Sequence, residues 1–254
     1  MSDLPPSTSW QNPELVQHFL RNVRGAIPLA IEQIDIMLQI IAAARERVST
    51  FLDLGCGDGI LAAAILDEYP DARGILIDES EVMLDVARRR LDVHAARVEF
   101  IHADFHETGW MSEVAAAAPF DAVVTAFSIH HASDPRKREI YGEVFELLTP
   151  GGLFLNFEHV ASATRWTESV MDDYVIDAIF GEAIKRAPGR NRAEIARDYY
   201  DRATGGRTLA PLEVQCDWLR EIGYENVECF LKVQELAVFG GQRGGESQRL
   251  AVSS

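Results

Sequence analysis

Phe51-Leu52-Asp53-Leu54-Gly55-Cys56-Gly57-Asp58-Gly59, running on into Ile60-Leu61-Ala62-Ala63-Ala64-Ile65-Leu66, is the stretch whose reading decides the fold. Val48 to Leu54 has the short apolar character of a buried strand, and the alanine-rich run is a strong helix former. The three alternating glycines between them predict a turn that a residue with a side chain follows only with strain. The stretch therefore predicts strand, glycine loop and helix. Such a loop can cradle a ligand on main-chain N–H groups at a helix N-terminus, or it can be a plain tight turn in a βαβ unit.

The next strand tilts the balance. Arg73 to Ile77 is short and apolar and ends on Asp78, at the spacing of about 20 residues where an acid accepts ribose hydroxyls. A nucleoside ligand is the expectation. Gly55-x-Gly57-x-Gly59 lacks the third-glycine spacing of a dinucleotide fingerprint, and there is no Gly-Lys-Ser/Thr phosphate loop, so a pyrophosphate is not the natural guest.

Asp53-Leu54-Gly55-Cys56-Gly57-Asp58-Gly59, Asp78, and the later Ala103-Asp104-Phe105 together resemble the motifs of class I S-adenosylmethionine-dependent methyltransferases. The resemblance is strong over residues 48 to 160. It implies a doubly wound, mostly parallel seven-stranded α/β sheet with helices on both faces and an antiparallel last strand. By position, Gly55, Gly57 and Gly59 would meet the methionine end of the cofactor, Asp78 the ribose and Asp104 the adenine amino group. Asp53, Cys56, Glu79, Phe105 and Ala126 complete the cofactor-binding set by position. Arg21 to Pro28 resembles an arginine and Ile-Pro element ahead of the loop in some of these enzymes, and in relatives that make a carboxymethylated cofactor for tRNA modification. Arg24 is there a candidate to clamp the cofactor carboxylate, with an ordinary solvated arginine as the alternative.

Composition narrows the acceptor. The chain has 254 residues, 47% hydrophobic and 25% charged, enough for one large α/β domain. A net charge of −16 repels polyphosphate, so a small-molecule acceptor is expected and nucleic acid is disfavoured. The three cysteines, Cys56, Cys216 and Cys229, form no CxxC pair, which fits a reducing cytoplasm. No apolar run is long enough to span a bilayer and the N-terminus shows no secretory signal, so no membrane partner is expected. A homodimer is compatible with the sequence.

Four regions are expected: an N-terminal helical cap segment over 1–47, a cofactor-binding domain over 48–159 and 211–241, a helical insertion over 160–210, and a glycine-rich frayed tail over 242–254. Pro13 to Ala44 reads as two helices with a bend. Glu81 to Leu91 reads as a helix whose Arg88-Arg89-Arg90 run is solvated. Leu148-Thr149-Pro150-Gly151-Gly152 reads as a tight turn before the fifth strand. Trp166 to Ile184 and Ala193 to Arg202 read as the helices of the insertion, whose aromatic residues either line an acceptor pocket or pack it on the sheet.

The fourth strand, Phe120 to Ala126, ends near His130-His131, and the fifth delivers Glu158-His159 to the same rim. His130, His131 and His159 are the candidate catalytic residues, as general base or acceptor-orienting groups. A metal is not expected, because no pair has helical i, i+4 spacing. The other histidines fall on other segments. The function expected is methyl transfer from S-adenosyl-L-methionine to a small molecule by in-line displacement, releasing S-adenosyl-L-homocysteine. The alternatives are carboxymethyl-cofactor or tRNA-modification chemistry, an NAD-dependent oxidoreductase, and a non-catalytic cofactor-binding module.

Overall fold

The computed structural model of the protein describes residues 27–186, 189–203 and 208–245. Helix α1 (Ala30–Ala44) leads into β1 (Thr50–Leu54), α2 (Ile60–Glu68), β2 (Arg73–Asp78), α3 (Glu81–Arg90) and β3 (Val98–His102). Then come α4 (Met111–Val114), β4 (Phe120–Ala126), α5 (Asp134–Leu147) and β5 (Leu148–His159). Helices α6 (Arg165–Arg186) and α7 (Arg192–Ala203) form the insertion, and α8 (Leu212–Ile222), β6 (Tyr224–Val233) and β7 (Leu236–Arg243) close the fold.

The seven strands lie in the order β3-β2-β1-β4-β5-β7-β6. All pairs among β1 to β5 are parallel, and β7 runs antiparallel to both β5 and β6. Chain order reverses between β1 and β4, and ligands of open α/β sheets gather at that crevice beyond the strand C-termini. Alternation along each strand sends Leu52, Leu54, Ile77, Val123 and Phe154 to one face, under α5 and α8. Phe51, Leu76, Val124 and Leu155 go to the other, under α1 and α2. Burial on both faces is why these strands read as continuous apolar runs.

Two expectations change. The Leu148–Gly152 turn is instead the start of β5: Leu148 pairs with Phe120, the register slips by a bulge, and Leu153 then pairs with Ala122. The expected tail over 242–254 begins two residues too early, because β7, which contains Gly240 and Gly241, runs on to Arg243. A Cβ on Gly240 would stand 1.9 Å from the Phe154 carbonyl oxygen, so glycine there permits close strand approach. The first of the two expected N-terminal helices, Arg24 included, lies outside the described residues; the second is α1.

The insertion starts and ends at one place. Ala161 N–H donates to the Ala210 carbonyl at 3.0 Å, and Thr208 N–H donates to the His130 carbonyl at 3.3 Å. The fully buried Lys137 of α5 donates to the Thr208 carbonyl and, at 2.8 Å, to Asp134.

Candidate active site

The glycine loop is held in place from every side. Gly55 and Cys56 N–H both donate to the Ile77 carbonyl, at 2.8 and 3.0 Å. Asp78 closes the loop: Oδ2 accepts from Gly57 N–H and Oδ1 from Ser80 N–H, each at 2.8 Å. Each carboxylate oxygen keeps a second lone pair for a ligand. Burial raises the Asp78 carboxyl above the ordinary carboxylate range, and its two main-chain donors oppose that shift.

The three glycines have different tasks. All have positive φ, at 69°, 54° and 74° for Gly55, Gly57 and Gly59. A Cβ on Gly55 would fall 2.3 Å from Ser128 Oγ, and one on Gly59 would fall 3.0 Å from Leu91 Cδ1. Among the described residues, a Cβ on Gly57 would meet nothing within 4 Å. Gly57 is therefore the glycine that faces open space, whereas Gly55 and Gly59 admit neighbouring protein.

Other members of the expected set face inward. Asp53 is buried and accepts from Ala62 N–H at 3.2 Å, capping α2. The ring of Phe105 is core, against Gly55, and burial raises the Cys56 thiol well above its ordinary value. These side chains serve the loop from behind, so any ligand contact from these positions falls to the main chain. Asp104 accepts from His106 N–H at 2.8 Å and so forms a local turn after β3. Glu79 stands beside both acids, and burial, then Asp104 and Asp78, raise its carboxyl to about 7.

Two arginines escaped the sequence reading. Arg90 is exposed as expected, but it is also tethered: its Nη2 donates to Asp58 Oδ2 at 2.7 Å and its Nε to the Asp58 carbonyl at 2.9 Å, pinning the loop from α3. Arg136 on α5 donates to the carbonyls of Phe105, His106 and Glu107 at 2.9, 2.9 and 3.0 Å, and so fixes the turn after β3. Neither signal is local in sequence.

The acceptor side adjoins this loop. Ser128 Oγ donates to the Gly55 carbonyl at 3.1 Å, directly after Phe127, which holds a φ of 52°. A bulky residue in that region is strained and marks a functional site. His130 is buried, with Nδ1 2.7 Å from Glu158 Oε1. The same oxygen accepts from His159 N–H at 2.7 Å. The His159 ring is turned to Glu235 in the β6–β7 connection, at 2.9 Å. The His131 ring lies 4.0 Å from that of His130, and the His130 and His159 rings are 6.1 Å apart. His106 joins the rim unexpectedly, 6.5 Å from His131. Burial pushes the Glu158 carboxyl up to about 7. Among the described residues no group of histidine, cysteine and acidic side chains is disposed to hold a metal ion.

The donor set suits a ligand without phosphates. The N-terminus of α2 is already complemented by the Asp53 carboxylate, Arg90 is committed to Asp58, and Asp78, Glu79 and Asp104 line the strand ends. A cationic sulfonium nucleoside fits such an acidic crevice, and a pyrophosphate does not. The fold and this crevice define a class I S-adenosylmethionine-dependent enzyme.

Comparison with known proteins agrees. Residues 51–152 match the methyltransferase domain family, so this segment is a class I S-adenosylmethionine-dependent methyltransferase domain, with S-adenosylmethionine as its cofactor. It is 23% identical over 175 residues to a carboxy-S-adenosyl-L-methionine synthase of Campylobacter lari, covering 68% of this chain and 69% of that one. A protein of the same name from Nautilia profundicola is 21% identical over 89% of this chain and 91% of its own. Human N-acetylserotonin methyltransferase, solved in complex with S-adenosylmethionine, superposes with a TM-score of 0.61 at 13% identity, over 96% of this chain. This chain spans 60% of that structure's length.

Glu79 gives a pH test of the crevice. Its carboxyl is neutral below about 7 and negative above, so affinity for the cationic cofactor is expected to rise as pH increases from 6 to 8. In Glu79→Gln that rise should flatten in calorimetric titrations, and an unchanged slope would remove Glu79 from the crevice.

Proposed function

We propose that the enzyme transfers the methyl group of S-adenosylmethionine to an oxygen or nitrogen of a small-molecule acceptor at the His130 rim. The observation that carries this reading is the contact of His130 Nδ1 with the buried Glu158, on a segment joined to the glycine loop through Ser128. Bound in the crevice, the cofactor supplies an electrophilic methyl group on a positively charged sulfur. Asp78 and Asp104 are the side chains we assign to its ribose and adenine, with Gly57 beside its methionine end. Glu158 Oε1 already accepts from main-chain N–H, so it acts as acceptor toward His130 as well, and Nδ1 carries its hydrogen. That leaves Nε2 as the nitrogen that takes the acceptor's proton while the acceptor heteroatom gains the methyl group. A cytoplasmic location fits the three free thiols, and the acidic charge favours a small acceptor over nucleic acid.

The pair predicts the sign of the pH dependence. Below about 7 it still holds the proton it must receive; above, it is ready as a base. His106, His131, Lys137, Tyr141 and His159 also bear on it. We expect kcat/KM to rise through pH 7 and level off above it, and expect Glu158→Gln to lose that limb. A flat profile from pH 6 to 9 counts against the base.

A second reading follows from the relatives named carboxy-S-adenosyl-L-methionine synthase, in which the cofactor itself is carboxylated on its methyl carbon. Methyl-labelled S-adenosylmethionine and a panel of phenols, carboxylic acids and amines separate the two by mass spectrometry. Methyl transfer yields S-adenosylhomocysteine and a labelled acceptor in equal amounts. No labelled acceptor, with a carboxylated cofactor formed when a carboxylate donor is added, would replace the first reading by the second.

A further inference from the structure

Behind the rim, three polar atoms on one face of the sheet lack a hydrogen-bond partner among the described residues: Thr125 Oγ1, Asn156 Oδ1 and Glu158 Oε2. Thr125 and Asn156 are register partners on β4 and β5, and Glu158 follows Asn156 by two residues, so all three point to the side covered by α5 and α8. None is more than 1% exposed. Buried polar atoms left unpaired are costly, and three in one place point to a shared partner.

The neighbouring bonds fix which atoms remain. Gln215 Nε2 donates to the Ala210 carbonyl at 3.0 Å, so its Oε1 accepts from Tyr141 OH at 2.6 Å. The Tyr141 oxygen then accepts from Asn156 Nδ2 at 3.2 Å, which leaves Oδ1 as the acceptor still to be satisfied. Glu158 Oε1 is taken by His130 and by His159 N–H, so both the unmet capacity of this carboxyl and any proton it holds belong on Oε2.

We propose that Thr125, Asn156 and Glu158 form an internal binding site for one ordered water molecule. Three partners match the usual number for a buried water. Thr125 OH donates to the water, and the water donates to Asn156 Oδ1 and to Glu158 Oε2. A bond to an ionised oxygen is stronger than one to a neutral oxygen, so the site favours the carboxylate form of Glu158. It thereby keeps the His130–Glu158 pair able to accept a proton despite its burial. This role rests on the base proposed above, but the hydration site itself does not. The charged or titratable groups around Glu158 are His106 after β3, His130 and His131 after β4, Lys137 and Tyr141 on α5, and His159 beside Glu235.

A high-resolution crystal structure of the full chain should show one density peak within hydrogen-bond reach of all three atoms. An empty pocket, or side chains rotated to bond one another directly, overturns the site. Infrared spectroscopy then follows the protonated-carboxyl band of Glu158, assigned by its loss in Glu158→Gln, against pH and without any substrate. In Thr125→Val, which keeps the shape of the residue, the midpoint should move up by about half to one pH unit. An unchanged midpoint in the folded variant overturns the proposed influence on Glu158. If both observations hold while no acceptor is methylated, the water site stands and the base assignment fails.

Discussion

Replacing His130 with alanine is expected to lower turnover about 10²–10⁴-fold, the range for loss of a positioned general base, while S-adenosylmethionine still binds with near wild-type affinity. The His130 ring meets a carboxyl that burial holds near 7. His159 has its ring turned to Glu235 and bears on the same carboxyl mainly through its main-chain N–H, so His159→Ala should change turnover only a few-fold. His131 packs its ring against that of His130 and acts on Glu158 through its charge. Its alanine variant should raise the Michaelis constant more than it lowers turnover, as expected for an orienting group. His130→Ala also deprives Glu158 of a partner, so Glu158→Gln serves as the control that a lost rate reflects lost proton transfer rather than a disturbed rim. Wild-type rates for all three alanine variants on an identified acceptor, across pH 6 to 9, would leave proximity as the account of catalysis.

Gly57→Val is expected to weaken cofactor binding by roughly 100-fold, about 2.7 kcal/mol, in a protein that still folds. The site explains both halves of that statement. A Cβ at Gly57 meets no atom of the described residues within 4 Å, so the described core is not disturbed. The added atoms instead enter the space faced by the loop, and a β-branched residue at φ 54° adds local backbone strain. At Gly55 the contrast should be plain: a side chain there collides with Ser128, and Gly55→Val should lower thermal stability as well as affinity. Calorimetry paired with thermal unfolding separates the two. Wild-type affinity in Gly57→Val would reduce the loop to a turn.

The glycine loop and the acid that closes it were legible because their determinants are local. A glycine loop is written in consecutive residues, and the acid after the next strand sits at a fixed distance set by one helical crossover. The antiparallel last strand, implied by the family resemblance, is β7. What was not legible depends on tertiary contact. Arg90 reads as a solvated helix end until α3 is laid beside Asp58, and Arg136 reads as an ordinary helix arginine until three carbonyls of a distant turn converge on it. His106 and Glu235 reach the rim from segments far apart in the chain. A glycine at 240 inside a strand is explained only by the close approach of Phe154 on β5. The acceptor half depends on such contacts throughout.

Ala161 and Ala210, the two ends of the excursion that carries α6 and α7, are hydrogen-bonded to each other. The sheet therefore keeps its strand pairing whatever length of chain lies between them, since closing a loop whose ends already touch costs little more as it lengthens. For protein engineering this marks a graft point: segments from related enzymes can be exchanged between these two residues, changing what the rim accepts while the cofactor crevice is inherited intact.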